Sequence, residues 1–156
     1  MATQFTLSEV LEKAVEKEET SRLIYENMSQ RMQNPVARDA FQELAREEED
    51  HQNLLEQYQR GQLKTGTISK EEMLDYKIAE HFNQPEISPD MQLKDVFLLA
   101  ANREMHSYDL YTSLAAIHPQ GEVRLLFEQL ASQELKHKHR LEFLYTEVAF
   151  PQTDGG

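Results

Sequence analysis

The stretch FQELAREEEDHQNLL, from Phe41 to Leu55, returns later in the chain as FEQLASQELKHKHRL, from Phe127 to Leu141. One constant offset of 86 residues superposes the two copies without a gap. In each copy a glutamate stands three residues before a histidine, so that both side chains project from one face of a helix. The repeat therefore predicts two similar helical units, each with a carboxylate and an imidazole on the same face.

The same offset also relates residues in the segments that precede the two copies. Glu18 falls on Glu104, and Tyr25 falls on Tyr111. The duplicated residues include four glutamates and two histidines: Glu18, Glu48, His51, Glu104, Glu134 and His137. Four carboxylates and two imidazoles are the ligands that a carboxylate-bridged dinuclear metal site in a helix bundle requires.

Length and composition restrict the class of protein. A chain of 156 residues with five glycines and five prolines fits one helical domain, residues 1–156, with a single core. The absence of cysteine excludes disulfides and thiolate metal sites. We find neither an apolar run long enough for a membrane span nor the features of a secretory signal near residue 1, so we expect a cytoplasmic protein with no membrane partner.

The charge of the chain argues against nucleic acid as a partner. The formal net charge is −12, whereas a protein that binds phosphates needs a basic surface. Most of the acidic residues are therefore expected to cover solvated helix faces. The exceptions are the few carboxylates that the helical period turns inward.

Helical periodicity and end signals predict four helices, at about residues 6–32, 35–59, 92–117 and 122–148. Thr6 and Glu9 have the spacing of a capping box. Asn34 suits an N-cap, and Pro35 suits the first position of the second helix.

The connection between the second and third helices, residues 61–90, is too long for a tight turn, and a short helix at 69–81 is predicted within it. Two helix hairpins joined by a long crossover describe the ferritin-like form of the four-helix bundle, so the sequence predicts an all-α fold.

Steps of three and four residues give each predicted helix one inward seam with a polar layer near its middle. The large apolar residues at these inward positions include Leu7, Leu11, Phe41, Leu44, Leu55, Phe97, Phe127, Leu130 and Leu141. The polar layer contains all six candidate ligands. The remaining histidines lie off the seams and are expected at the surface or at helix caps: His81, His106, His118 and His139.

A metal explains why carboxylates would occupy a core. Moving an unpaired carboxylate from water into a protein core costs several kcal/mol of free energy. Two divalent cations would neutralise the charge of four such carboxylates. Oxygen-rich ligation with some imidazole suits iron or manganese. Tyr25 and Tyr111 lie on the same faces as the seam glutamates and are candidate hydrogen-bond donors to ligating carboxylates. A core tyrosine with a satisfied hydroxyl explains them almost as well.

These residues resemble the ferritin-like superfamily, and most of all its rubrerythrin branch. The resemblance covers residues 6–148 and is carried by AVEKE at 14–18 with Tyr25, LAREEEDH at 44–51, AANRE at 100–104 with Tyr111, and LASQELKH at 130–137. It implies a di-iron centre in which Glu48 and Glu134 bridge the metals. It also implies that Glu18 with His51 completes one metal's ligand shell, and that Glu104 with His137 completes the other's.

Two departures from the rubrerythrin pattern affect the implied chemistry. Rubrerythrins usually append a rubredoxin domain with four cysteine ligands, whereas this chain has no cysteine, so electrons would come from another protein. Rubrerythrins also carry an extra glutamate three residues after the third-helix ligand, where this chain has Ser107. The ligands that remain are also those of bacterioferritin-like ferroxidase centres.

The leading expectation is therefore a non-haem di-iron oxidoreductase that reduces hydrogen peroxide or dioxygen, with two iron ions per chain and an external electron donor protein. A ferroxidase that handles iron, a metal-free helical interaction module and a manganese catalase-like enzyme are the alternatives. By analogy with ferritin-like domains we also expect a homodimer or higher homo-oligomer.

Overall fold

The computed structural model describes residues 6–61, 79 and 91–149. These ranges contain four α-helices and no strand: α1 Leu7–Arg31, α2 Pro35–Gln59, α3 Leu93–Ile117 and α4 Glu122–Ala149. The predicted all-α class is confirmed, and the four helices that a four-helix bundle requires are present. Each helix begins and ends within one residue of its predicted bounds.

The chain divides into two compact units. The N-terminal unit, Met1–Lys64, contains α1 and α2, and the C-terminal unit, Thr65–Gly156, contains α3 and α4. Each unit is thus built around a helix hairpin, as the internal repeat predicts. The interpretation of residues 1–156 as one domain stays a prediction. The short helix predicted at 69–81 falls outside the described residues except for Ala79.

Side-chain caps begin both helices of the N-terminal unit. The Glu9 amide donates a hydrogen bond to Thr6 Oγ1 at 3.2 Å, and the Thr6 amide donates to Glu9 Oε2 at 3.3 Å. This reciprocal pair is the predicted capping box. Asn34 Oδ1 accepts from the Ala37 amide at 3.1 Å, with Pro35 in the first turn of α2.

Helix α2 ends at a glycine. Gly61 has a φ of 70°, a left-handed conformation that other residues adopt at a cost, and its amide donates to the Tyr58 carbonyl at 3.0 Å. The chain therefore leaves the helical path directly after Arg60, which is the C-cap of α2.

The C-terminal unit has different helix ends. Gln92, the N-cap of α3, makes no side-chain capping bond. At the other end of α3, His118 Nδ1 lies 2.6 Å from the Leu114 carbonyl oxygen, and its ring centroid lies 5.5 Å from that of Phe127. His118 is thus a capping residue, as predicted. His106 is exposed and His139 is half-buried, while His81 lies outside the described residues.

The predicted seams form the buried core of each unit. Tyr25 packs on Phe41 with ring centroids 5.9 Å apart in the N-terminal unit, and Tyr111 packs on Phe127 at 6.2 Å in the C-terminal unit. Leu7 differs from the prediction because it is 38% exposed. As the first residue of α1 it precedes the buried part of the helix, which begins at Leu11.

Helix α4 also buries an ion pair whose two residues lie outside the predicted seam. Lys138 Nζ lies 3.2 Å and 3.3 Å from the two carboxylate oxygens of Glu142, and neither side chain is more than 1% exposed. Glu142 Oε2 also accepts a hydrogen bond from the Ala79 amide at 2.9 Å. The carboxylate therefore joins α4 to the segment that precedes α3.

In the ranges that the structure describes, no helix is both long and apolar enough to cross a membrane.

Candidate metal centre

Three of the predicted ligands meet in the N-terminal unit. Glu18 comes from the middle of α1, and Glu48 and His51 come from α2, where their i, i+3 spacing puts them on one face. One ligand atom from each of the three lies within 4.8 Å of the others. His51 Nδ1 lies 3.8 Å from Glu18 Oε2. We call these three residues the N-terminal triad.

The C-terminal unit brings together the other three predicted ligands in the same way. Glu104 comes from α3, and Glu134 and His137 come from α4, again with i, i+3 spacing. Their ligand atoms also lie within 4.8 Å of one another. His137 Nδ1 lies 3.7 Å from Glu104 Oε2 and 3.8 Å from Glu134 Oε2. We call these residues the C-terminal triad.

All six predicted ligands are buried, and none is more than 6% exposed. The helical period that turns Leu11, Phe41 and Leu44 into the core of the N-terminal unit also turns its triad inward. Buried, closely spaced carboxylates and imidazoles are far from the solvated helix faces where acidic residues usually lie. The structure thus places every predicted ligand in one of two clusters of the same composition.

The pKa of Glu18 shows how one carboxylate is held in its triad. Burial by itself would raise the pKa of this carboxyl, because it disfavours the charged form. Side-chain hydrogen bonds with Glu48 and His51, together with the positive charge of Lys17, outweigh burial and hold the pKa well below its usual value of 4.5. Glu18 is therefore an anion at neutral pH despite its burial.

The donor atoms fit a divalent transition metal. Each triad offers two carboxylates and one imidazole and no sulfur, the combination that suits iron or manganese. A cation would also offset the desolvation of two buried carboxylates in each unit. The second ring nitrogen of a ligating histidine would remain available to a hydrogen-bond acceptor, as in most metal sites.

The two seam tyrosines are buried one helical turn or more beyond the triads. Tyr25 and Tyr111 each stand seven residues after a triad glutamate, and each ring is stacked on a phenylalanine of the next helix. Stacking accounts for the burial of both rings. Their role as hydrogen-bond donors to ligating carboxylates stays a prediction.

Ser107 occupies the position where the resemblance would place an extra glutamate. Its side chain is buried, and Oγ donates a hydrogen bond to the Arg103 carbonyl at 3.1 Å. This bond lies within one turn of α3, as is common for a serine inside a helix. Helix α3 consequently supplies one carboxylate, that of Glu104, to the C-terminal triad and no second one.

One charged neighbour of the N-terminal triad was missed at the sequence level. Lys17 Nζ lies 3.7 Å from Glu18 Oε1, and the lysine side chain is only 22% exposed. The signal was present in the sequence, because Lys17 directly precedes a predicted ligand. Adjacent residues on a helix project about 100° apart, so that helical periodicity alone puts Lys17 off the seam.

Comparison with known proteins identifies one family. The family model of rubrerythrin matches residues 9–145 of the chain, a range that includes both triads. No curated protein and no solved structure gives a significant match.

Proposed function

This chain belongs to the rubrerythrin family, and from that premise we propose that its two triads are the halves of one di-iron centre that reduces hydrogen peroxide. The observation that carries the proposal is the repetition of one buried ligand set in both units, with His Nδ1–Glu Oε2 distances of 3.8 Å and 3.7 Å between the two helices of each unit. A metal-free helix pair has no need for two such sets in its core.

The residues of the chain divide the task of holding the metals. As membership of the rubrerythrin family implies, Glu18 and His51 would hold one iron and Glu104 and His137 the other, and Glu48 and Glu134 would serve both. When bound, the iron pair would supply the two electrons that, with two protons, convert one hydrogen peroxide to two water molecules.

The ionisation of the ligands favours cation binding at neutral pH. Glu18 is already a carboxylate there, because its pKa lies well below 4.5, so it gives up no proton to a metal. His51 and His137 must present an unprotonated nitrogen, and any proton that they carry is released on binding. Burial of the ligands limits the access of water to the metals, which strengthens electrostatic interactions in the site.

The electrons for repeated turnover would come from a separate protein. Each peroxide consumes two electrons, and the chain contains no cysteine with which to hold a second iron site of the rubredoxin type. We therefore propose a redox protein as the partner of this one.

A ferroxidase is the second candidate function, and Ser107 favours it. With the Ser107 hydroxyl bonded to the Arg103 carbonyl, the six-residue ligand set lacks the extra glutamate of rubrerythrins. In this alternative, Fe(II) is the substrate and leaves after oxidation. We expect Ser107→Glu to raise the rate of peroxide consumption over that of dioxygen consumption; an unchanged ratio would argue against a role for this position.

Metal content tests the centre itself. After anaerobic loading with Fe(II) and removal of loosely bound metal, elemental analysis should find about two irons per chain, as a dinuclear centre requires. Glu48→Ala and Glu134→Ala should each abolish the pair, because each removes a shared ligand. Glu49→Ala is the matched control, since this neighbouring glutamate is exposed.

The outcomes separate the candidate functions. Equal iron in all three variants and the parent protein would refute the ligand assignment, and no iron in the parent would favour the helical interaction module. If two irons are retained, anaerobic single-turnover mixing with peroxide should oxidise them faster than mixing with dioxygen. Faster oxidation by dioxygen followed by loss of iron from the protein would favour the ferroxidase.

A further inference from the structure

Lys17 buries its ammonium group beside a carboxylate of the N-terminal triad. Lys17 Nζ lies 3.7 Å from Glu18 Oε1, and this nitrogen is buried although 22% of the side chain is exposed. A lysine ordinarily lays its stem against the protein and keeps its ammonium in water, so that a buried ammonium needs negative charge close by. Glu18 supplies such a charge, and the positive charge of Lys17 in turn helps to lower the pKa of the Glu18 carboxyl.

The Glu18 carboxylate lies between this ammonium and the imidazole of the triad. Its Oε1 atom is the one near Lys17, and its Oε2 atom lies 3.8 Å from His51 Nδ1. A metal held by Glu18 and His51 would thus share a carboxylate with the Lys17 ammonium. Two cations would then act on one ligand, so that the balance of charge in the triad determines whether both can stay.

The balance of charge favours the metal. A divalent cation cancels the charge of the two carboxylates that the triad contains, and it thereby removes the attraction that Glu18 exerts on Lys17. The same ion repels the ammonium directly, while the cost of burying the ammonium is unchanged. Because part of the Lys17 side chain is already exposed, its flexible four-carbon stem can bring the ammonium to water without any movement of α1.

We propose that a metal bound at the N-terminal triad displaces the Lys17 ammonium from its buried place beside Glu18 to the protein surface. In the metal-free protein Lys17 is the cation that stands in for the metal at this carboxylate. The inference rests on the proposed metal centre and deepens it, since it makes the exposure of one lysine depend on the occupancy of one triad.

Acylation of lysines by N-hydroxysuccinimidyl acetate, measured by peptide mass spectrometry, tests whether the ammonium nitrogen reaches water. The protein is labelled metal-free and after anaerobic loading with Fe(II), and the iron content of the same samples is determined. We expect Lys17 to react slowly without metal and several-fold faster with it. A metal that only tightens the fold would slow the labelling of Lys17 or leave it unchanged, and either result with iron bound would overturn the proposal.

Two controls locate the cause of the change. Lys13 is exposed one turn earlier on α1 and should be labelled rapidly in both states; an increase at Lys13 equal to that at Lys17 would show that the whole helix loosens. His51→Ala removes a ligand of the N-terminal triad and should abolish the increase at Lys17. An increase that persists in this variant would have its origin outside the N-terminal triad. Either of these contrary results would refute the displacement.

Lys17→Met tests the same displacement through metal affinity. Fe(II) titration under argon, with free Fe(II) followed by a chromogenic chelator, should show binding roughly threefold to tenfold tighter than in the parent protein, because no ammonium has to leave the site. Lys17→Arg keeps the charge and should bind within about twofold of the parent protein. Equal affinities for all three proteins, or tightening by both variants, would contradict competition between the two charges.

The measurements separate failure of the inference from failure of the proposed function. If the parent protein binds no Fe(II), the metal centre and the displacement fail together. If it binds iron while the labelling of Lys17 stays slow, the metal centre stands and the displacement alone is refuted.

Discussion

The two units keep the same interior and differ on another face of their second helices. The stacked rings are 5.9 Å apart in one unit and 6.2 Å in the other, and the histidine–glutamate distances between helices are 3.8 Å and 3.7 Å. At the residue directly after each triad histidine the two sequences differ, because Gln52 of α2 corresponds to Lys138 of α4. The comparison separates the positions that stay alike around the triads from those that differ between the two units.

In both units this divergent position forms an i, i+4 pair with a glutamate that the two units share, Glu56 in α2 and Glu142 in α4. Gln52 Nε2 donates to Glu56 Oε1 at 3.3 Å, and both side chains are half-buried. The equivalent Lys138–Glu142 pair is fully buried, and its carboxylate also accepts the Ala79 amide. The same backbone positions thus hold a partly solvated polar contact in one unit and a buried ion pair in the other.

Among substitutions at equivalent positions of the two units, Lys138→Met is expected to change the free energy of unfolding the most. It leaves the Glu142 carboxylate buried without its lysine, and the free energy of unfolding should fall by about 3–5 kcal/mol. The equivalent change Gln52→Met should alter it by less than about 1 kcal/mol, because both members of the Gln52–Glu56 pair reach water. Urea unfolding of the metal-free variants measures both. Equal losses would show that burial does not distinguish the two pairs.

A double variant, Lys138→Met with Glu142→Gln, sharpens this test. Glutamine keeps an acceptor for the Ala79 amide but carries no charge, so most of the lost stability should return. A double variant as unstable as Lys138→Met alone would assign the loss to packing of the lysine stem and not to the buried, unneutralised charge of Glu142.

A smaller loss of stability is expected from substitutions of the stacked core phenylalanines, where the two units are alike. Phe41→Leu and Phe127→Leu each remove one stacked ring from a core, and each should lower the free energy of unfolding by about 1–2 kcal/mol. Phe127→Leu should cost slightly more, because His118 also packs on the Phe127 ring at 5.5 Å. Thermal unfolding monitored by circular dichroism would compare them, and a large cost in one unit alone would break the likeness of the two interiors.

A gain in stability is expected at the start of α3. Gln92 has the extended backbone conformation of an N-cap but makes no side-chain capping bond, in contrast to Thr6 and Asn34 in the N-terminal unit. Gln92→Asp supplies an acceptor and a negative charge at the helix start, and it should raise the free energy of unfolding by about 0.5–1 kcal/mol. Gln92→Ala is the control, and an equal gain from it would exclude capping as the cause.

The lowered pKa of Glu18 is expected to have the smallest effect on the stability of the fold near neutral pH. A carboxyl with a lower pKa in the folded protein than in the unfolded chain stabilises the fold above the unfolded value of 4.5, and this contribution is lost as the pH falls below it. The metal-free protein should thus lose stability in acid more steeply than its Glu18→Gln variant. Exposed Glu49→Gln serves as the control, and identical acid profiles for all three would contradict the lowered pKa.

Much of the fold and of both triads could be predicted from the sequence, because the signals are local or repeated. Thr6 with Glu9 and Asn34 with Pro35 determine helix starts through bonds inside one turn. The gapless offset turns a weak Glu-x-x-His pattern into a specific one by repeating it with a partner glutamate. Burial of the six ligands then follows from the helical period of the neighbouring apolar residues.

The buried pair of α4 could not be predicted in this way. A seam of one residue in every three or four assigns Lys138 and Glu142 to a solvated face, where an i, i+4 pair of opposite charges is common. Glu142 also accepts a hydrogen bond from the amide of Ala79, 63 residues earlier in the chain, and helical periodicity carries no information on so distant a contact. Lys17 was missed for a similar reason, since its ion pair depends on how far a long side chain folds back toward Glu18.

The contact at Ala79 also sets which substitutions the connecting segment tolerates during evolution. Glu142 binds the main-chain amide of residue 79 and not its side chain, so that nineteen of the twenty amino acids carry the required donor and only proline lacks it. The site is buried, which narrows the choice further to small residues. Substitution at this position is therefore limited by the size of the side chain and by the need for a main-chain N–H group.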